Sequence, residues 1–169
     1  VHPGRLSLPN HWCAWHQEQQ LIASRKLIGF ANNYGVTLSL ELMEQKPKEL
    51  IDSPKKMNAL LAAIGPDVKT TFDVAHIPLH KDVIEAYQAT NRIGTIHLSD
   101  STKTTYHVAL GDGEIDLDPI IELLIRTPLP IVLEGMDLKL DRMLRRHLAY
   151  LSPYLDTERE DQHALLSYK

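Results

Sequence analysis

Four apolar runs in this chain each end in a side chain that can ligate a metal. VTLSLELME carries Glu41, VKTTFDVAH carries Asp73, IGTIHLS carries His97 and PIVLEG carries Glu134. Carboxylates mixed with imidazole suit a divalent cation such as zinc or manganese. Taken singly, each residue is better explained as a helix-capping acid or a hydrogen-bonded core histidine. Taken together they are harder to dismiss. The chain has 22 Asp and Glu and 9 His in 169 residues. At that frequency, independent placement on four run ends is roughly a one-in-a-thousand event, and about one in a hundred with slack in register. We therefore expect Glu41, Asp73, His97 and Glu134 to converge on one divalent metal. His2, His76 and His107 are further candidates for an additional metal or for substrate. His76 follows Asp73 by three residues and could instead be a solvated loop histidine. His107 lies in a polar loop whose Gly111 and Gly113 let backbone approach a ligand closely. His11, Cys13 and His16 match no strong zinc pattern, and Trp12 and Trp15 are expected to pack the start of a helix.

Positioning such a set requires strands with a common direction. Residues 36–42 alternate, with Val36, Leu38, Leu40 and Leu42 on one side and Thr37, Ser39 and Glu41 on the other. Residues 68–74, 93–99 and 130–133 read as three more strands. Lys69, Thr71 and Asp73 share a face on one of them, and Thr95 and His97 on another. Helices are expected over 14–34, 53–64, 82–90, 117–125 and 137–151. The first has Leu21, Ile22, Leu27, Ile28 and Ala31 near helical spacing, and Asn32, Asn33 and Gly35 at its end. The second has Ser53 as N-cap and Pro54 at its first position. Pro153 is expected to break the last helix and leave a polar tail. Four strand-then-helix units imply an α/β fold with a parallel sheet, whose strand ends share one face. The polar parity of the ligand-bearing face suits a sheet lining a barrel or cleft.

A chain of this length can bury one sizeable core. Its net charge of −4 gives no general attraction to nucleic acid. Cys13 is the single cysteine, so no intrachain disulfide is possible, which fits a reducing, cytoplasmic setting. No apolar run is long enough to span a bilayer, and no signal-peptide pattern opens the sequence. Four units and a strand stub at Val1 are fewer than a closed eight-stranded barrel needs. Such a sheet exposes two edges, so self-association or a missing N-terminal half is expected.

The motifs HPGRLS, LSLELME, TTFDVAH, IHLSDS with HVALGDGEID, and IVLEG, in that order, resemble the xylose isomerase-like TIM barrels. That superfamily includes sugar isomerases and epimerases and the endonuclease IV type of apurinic-site endonuclease. The resemblance runs from His2 to Glu134. It implies a (β/α) barrel-type fold of which only the C-terminal half is present, from the end of strand four through helix eight. Residues 1–152 would form that half and 153–169 a C-terminal tail. It matches Glu41, Asp73, His97 and Glu134 to the shared metal site, and His2, His76 and His107 to ligands of the endonuclease branch's extra zinc ions. The aspartate that would complete the third zinc site is Thr105 here. The activity implied first is isomerisation or epimerisation of a sugar-like substrate. There the metal polarises a carbonyl, Glu41 and Glu134 move the proton alpha to it, and His107 orients a hydroxyl. The alternatives are zinc-dependent cleavage at abasic DNA, or a truncated half-barrel without catalysis.

Overall fold

The structure, a computed structural model, describes residues 1–7, 9–135 and 141–166, without the side chains of residues 10 and 156–166. Its sheet contains β1 (Leu38–Glu41), β2 (Val68–Asp73), β3 (Ile93–Leu98) and β4 (Ile131–Leu133). The strands are hydrogen-bonded in chain order in a parallel sheet. Helices α1 (Cys13–Asn33), α2 (Pro54–Ile64), α3 (Val83–Ala89), α4 (Asp118–Leu124) and α5 (Arg142–Leu166) alternate with them. The expected α/β organisation is therefore present.

Local chemistry sets several boundaries. The Ser53 hydroxyl accepts the Lys56 N–H, Pro54 opens α2, and Gly65 ends it with φ of 105°. Asp82 Oδ1 accepts the N–H groups of Ile84 and Glu85 at 2.7 and 3.1 Å and so starts α3. Strand β2 stops at Asp73 because the chain turns into one 3-10 turn, Val74–His76.

The chain divides into two compact units. The first, Val1–Leu98 with Leu129–Val132, holds α1 to α3, β1 to β3 and most of β4. Leu40, Met57, Leu61, Val68, Phe72 and Ile96 are fully buried there. The second, Ser99–Pro128 with Leu133–Lys169, holds the loop after β3 together with α4 and α5. Leu117, Ile120, Ile121 and Leu124 are buried in it. At the start of the first unit, Val1 lies beside β1. Its amino group donates to Ser39 O at 2.9 Å and its carbonyl accepts the Glu41 N–H at 3.0 Å, as the strand stub required.

Two expectations about helices fail. Helix α1 buries His16, Gln20, Ser24 and Ile28, whereas Ile22, Leu27 and Phe30 are exposed. Its covered face packs on α2 and β1, and there Gln20 Nε2 donates to Pro3 O at 2.6 Å. Helix α5 does not break at Pro153 but continues to Leu166. A proline removes one N–H and crowds the preceding turn. The turns on both sides are nevertheless held, because the hydroxyls of Tyr150 and Tyr154 both donate to Asp118 Oδ1. The expected start of this helix at Asp137 lies outside the described residues.

Candidate metal centre

The first unit assembles its cluster from strand parity. Alternation puts Glu41 on the same face as Ser39, and Asp73 on the same face as Thr71. The Ser39 and Thr71 hydroxyls hydrogen-bond at 2.8 Å, giving that face a polar tie. Register then sets Glu41 beside Thr71 and Asp73 beside His97. Leu40, Phe72 and Ile96 are almost wholly buried on the opposite face. A one-residue slip would exchange the two faces, so that packing fixes which way the acids point.

Asp73 uses its two carboxylate oxygens differently. Oδ1 accepts the Ala75 N–H at 2.8 Å and caps the turn after β2. Oδ2 is buried and has no hydrogen-bond partner. It lies 3.7 Å from His97 Nδ1 and 3.7 Å from His76 Nδ1. Glu41 Oε1 is 3.8 Å from His97 Nδ1. Glu41, Asp73 and His97 each offer a ligand atom within 4.8 Å of the others. Glu41 and Asp73 are both buried, and the groups facing them are imidazoles. Two buried carboxylates side by side carry a large desolvation penalty unless positive charge compensates it. A divalent cation supplies that charge, and one imidazole with two carboxylates is a donor set for zinc or manganese. These residues fit such an ion.

The other histidines of this unit surround the cluster. His2 Nε2 lies 3.3 Å from Glu41 Oε2, on an exposed ring. His76 is buried, with Nδ1 2.9 Å from Leu42 O. A carbonyl can only accept, so Nδ1 donates to it. Nε2 is 3.6 Å from Glu44 Oε2. Glu44 was not singled out in the sequence. Burial pushes its carboxyl up, but hydrogen bonds from Lys46 and from its own backbone, with the nearby His76 charge, outweigh burial and hold it below the usual range. Its only signal in the sequence is a second acid three residues after Glu41. His11, Cys13 and His16 form no ligand group among the described residues, and Trp12 and Trp15 pack edge to face at 6.4 Å.

The second unit holds the remaining candidates. Glu134 follows β4 by one residue. His107 Nδ1 lies 3.9 Å from Glu134 Oε2 and 3.1 Å from Ser99 Oγ. His107 has φ of 59°, a left-handed conformation uncommon outside glycine. Beneath this pair lies His147 of α5, which is 2% exposed. Burial lowers its pKa, with the Glu134 backbone opposing. Its Nδ1 is 3.5 Å from the Leu110 N–H. Nothing in the sequence distinguished His147, because a single histidine on an amphipathic helix has no pattern of its own. Thus the structure brings Glu41, Asp73, His97, His2 and His76 together in one unit, and Glu134 and His107 in the other.

A parallel sheet with alternating helices, and acids or histidines at successive strand ends, is an α/β arrangement with a candidate metal site. The chain matches the family described as xylose isomerase-like TIM barrel over residues 1–154, and it belongs to that family. No curated protein matches it. Among solved structures, it is similar to a D-tagatose 3-epimerase-like protein, with a TM-score of 0.78 and 22% identity over 95% of this chain and 62% of the other. It is also similar to L-ribulose 3-epimerase, with a TM-score of 0.68 and 20% identity over 95% of this chain and 60% of that one. A third similar structure is the probable 3-DHS dehydratase AsbF from Bacillus anthracis, with a TM-score of 0.71 and 18% identity over 82% and 57%. At these identities the likeness is one of fold, and the chain spans about three fifths of the length of these proteins. Among the described residues, no helix is long and apolar enough to cross a membrane.

Proposed function

We propose that this protein acts in divalent-metal-dependent isomerisation or epimerisation of a sugar-like substrate. The observation that carries the reading is the cluster of buried Glu41 and Asp73 with half-buried His97, and its unsatisfied Asp73 Oδ2. Glu41, Asp73 and His97 would hold the ion, and Glu134 is kept as the fourth ligand on its position in the sequence, one residue beyond β4. When bound, zinc or manganese supplies Lewis-acid polarisation of a substrate carbonyl. Glu41, buried on the polar face of β1, removes the proton alpha to that carbonyl. Glu134 is the second acid, returning a proton to complete the transfer. His107 orients a substrate hydroxyl through the imidazole that Ser99 holds. The similarity to a D-tagatose 3-epimerase-like protein and an L-ribulose 3-epimerase supports a ketose-like substrate class.

The test has two parts. Elemental analysis compares the purified protein with a His97→Ala, Glu134→Ala double variant, and equal metal content in the two removes the metal assignment. Deuterium wash-in from solvent into D-tagatose then reads proton abstraction directly. Metal without wash-in into any ketose would leave binding without this chemistry.

A second reading is favoured by His2, with Nε2 3.3 Å from Glu41 Oε2, and by His76, with Nε2 3.6 Å from Glu44 Oε2, since both could join additional zinc ions. It is zinc-dependent cleavage at abasic DNA. Thr105 counts against it, because its N–H binds Thr102 Oγ1 in a tight turn where that branch carries a ligating aspartate. Three zinc ions per chain and nicking of abasic duplex would select this reading over the first.

A further inference from the structure

We propose that Ser99 and Asp100 are positioning residues that hold His107 in its working orientation. Both are buried, neither belongs to the candidate ligand set, and both lie with His107 in the second unit. The Asp100 carboxylate gathers the whole loop. Its Oδ1 accepts the N–H groups of Ser101 and Ile115 at 2.8 and 3.2 Å. Its Oδ2 accepts those of Gly111 and Gly113 at 3.1 and 2.9 Å. Four donors on one carboxylate saturate its acceptor capacity, so Asp100 has no acceptor left for a ligand. Its role is structural organisation of the segment that carries His107.

The backbone of Asp100 is equally committed. Its N–H donates to Val108 O at 3.1 Å, and its carbonyl accepts the Val108 N–H at 2.9 Å. His107 is the residue immediately before this pin, and its φ of 59° is the conformation that lets the chain enter it. A non-glycine residue keeps that conformation only when its surroundings over-determine it. Ser99, on the other side of Asp100, completes the hold by placing Oγ 3.1 Å from His107 Nδ1. Gly113 shows how tightly the loop is wound, since a Cβ there would fall 2.1 Å from Asp100 Oδ1. One dipeptide therefore fixes both the backbone and the ring of His107, as precise sites require of their supporting residues.

This inference rests on the reading of His107 as a substrate-orienting residue. Its test separates the two by using one readout that needs no substrate. The metal-loaded protein and its Ser99→Ala, Asp100→Asn and His107→Ala variants are labelled with 15N, and the imidazole signals and amide exchange are recorded at constant pH. Asp100→Asn loses two of four acceptor contacts. It is expected to speed exchange at Gly111 and Gly113 by tenfold or more and to shift the His107 ring signals. Ser99→Ala is expected to shift the His107 Nδ1 signal while loop exchange stays unchanged. Deuterium wash-in into D-tagatose is then expected to fall about tenfold in each variant, and to fall no further when either change is added to His107→Ala. Unmoved His107 signals in both variants would overturn the proposal, as would an equal loss of wash-in in the His107→Ala background. Should the unaltered protein show no wash-in, the sugar reading fails and the ring signals alone decide the positioning role. Should Asp100→Asn not fold, Ser99→Ala carries the test.

Discussion

Replacing Asp73 by Asn should stabilise the metal-free protein and destabilise the metal-loaded one. Asn can keep the acceptor that Asp73 Oδ1 presents to the Ala75 N–H at 2.8 Å. It replaces Oδ2, which is buried without a hydrogen-bond partner, by a neutral donor among imidazoles. An unsatisfied buried polar atom costs about 1–3 kcal/mol, and more when charged. Removing that cost should raise the melting temperature of the chelated variant by a few degrees, at about 2–4 °C per kcal/mol for a chain of this size. The unaltered protein regains the difference on loading. Saturation at about one hundred times Kd adds roughly 2.7 kcal/mol. That corresponds to an upward shift of about 5–10 °C, of which the variant should show little. The assay is thermal unfolding by circular dichroism, after chelation and again with added zinc or manganese. A variant that melts below the unaltered protein after chelation would mean that protein groups already compensate Asp73. No shift of the unaltered protein with either ion would remove the metal centre itself.

Glu41→Gln should lower deuterium wash-in by about 10²–10⁴-fold, the usual worth of a general base, with the far-ultraviolet spectrum unchanged; collapse of the fold would mark Glu41 as structural. Ser53→Ala removes the oxygen that accepts the Lys56 N–H and should cost about 1 kcal/mol, read as a melting shift of a few degrees; no shift would show that the cap is idle. Burial raises the Glu49 carboxyl above its usual 4.5, with Arg5 pulling the other way. The folded state therefore holds this proton to higher pH than the unfolded one, so the associated stability is full below 4.5 and declines as pH rises through the folded value. Glu49→Gln should flatten that part of the stability profile, and an unchanged slope between pH 4 and 7 would contradict it. We also propose that the chain self-associates, since Trp15, Ile22 and Phe30 on α1 are exposed; a monomer by light scattering at high concentration would refute this.

The strands and their facing were legible because they depend on a period of two that one residue cannot disguise. Ser39 and Glu41, or Thr71 and Asp73, fall on the polar side whatever their neighbours do, and the buried Leu40 and Phe72 confirm the other side. The cap of α2 was legible because Ser53 with Pro54 acts within one turn of chain. The facing of α1 was not. Its sequence offers Leu21, Ile22, Leu27 and Ile28 as a stripe, yet Ile28 is buried while Ile22 and Leu27 are exposed, and only the tertiary structure brings Pro3 O to Gln20.

The same distinction separates the candidate ligands from their supports. Glu41, Asp73 and His97 announce themselves by residue type at a strand end, a position that any parallel sheet makes available to a ligand. Asp100 sits just past a strand end too, yet its carboxylate is consumed by four backbone N–H groups, the farthest of them at Ile115. Whether an acid at such a place receives a cation or organises a loop depends on how many donors the following segment folds back onto it. Gly111 and Gly113 were the visible part of that answer. In the sequence they read as room for a ligand; in the folded loop Gly111 leaves room for the Tyr150 ring and Gly113 for Asp100 itself, whose Oδ1 lies where a Gly113 side chain would begin.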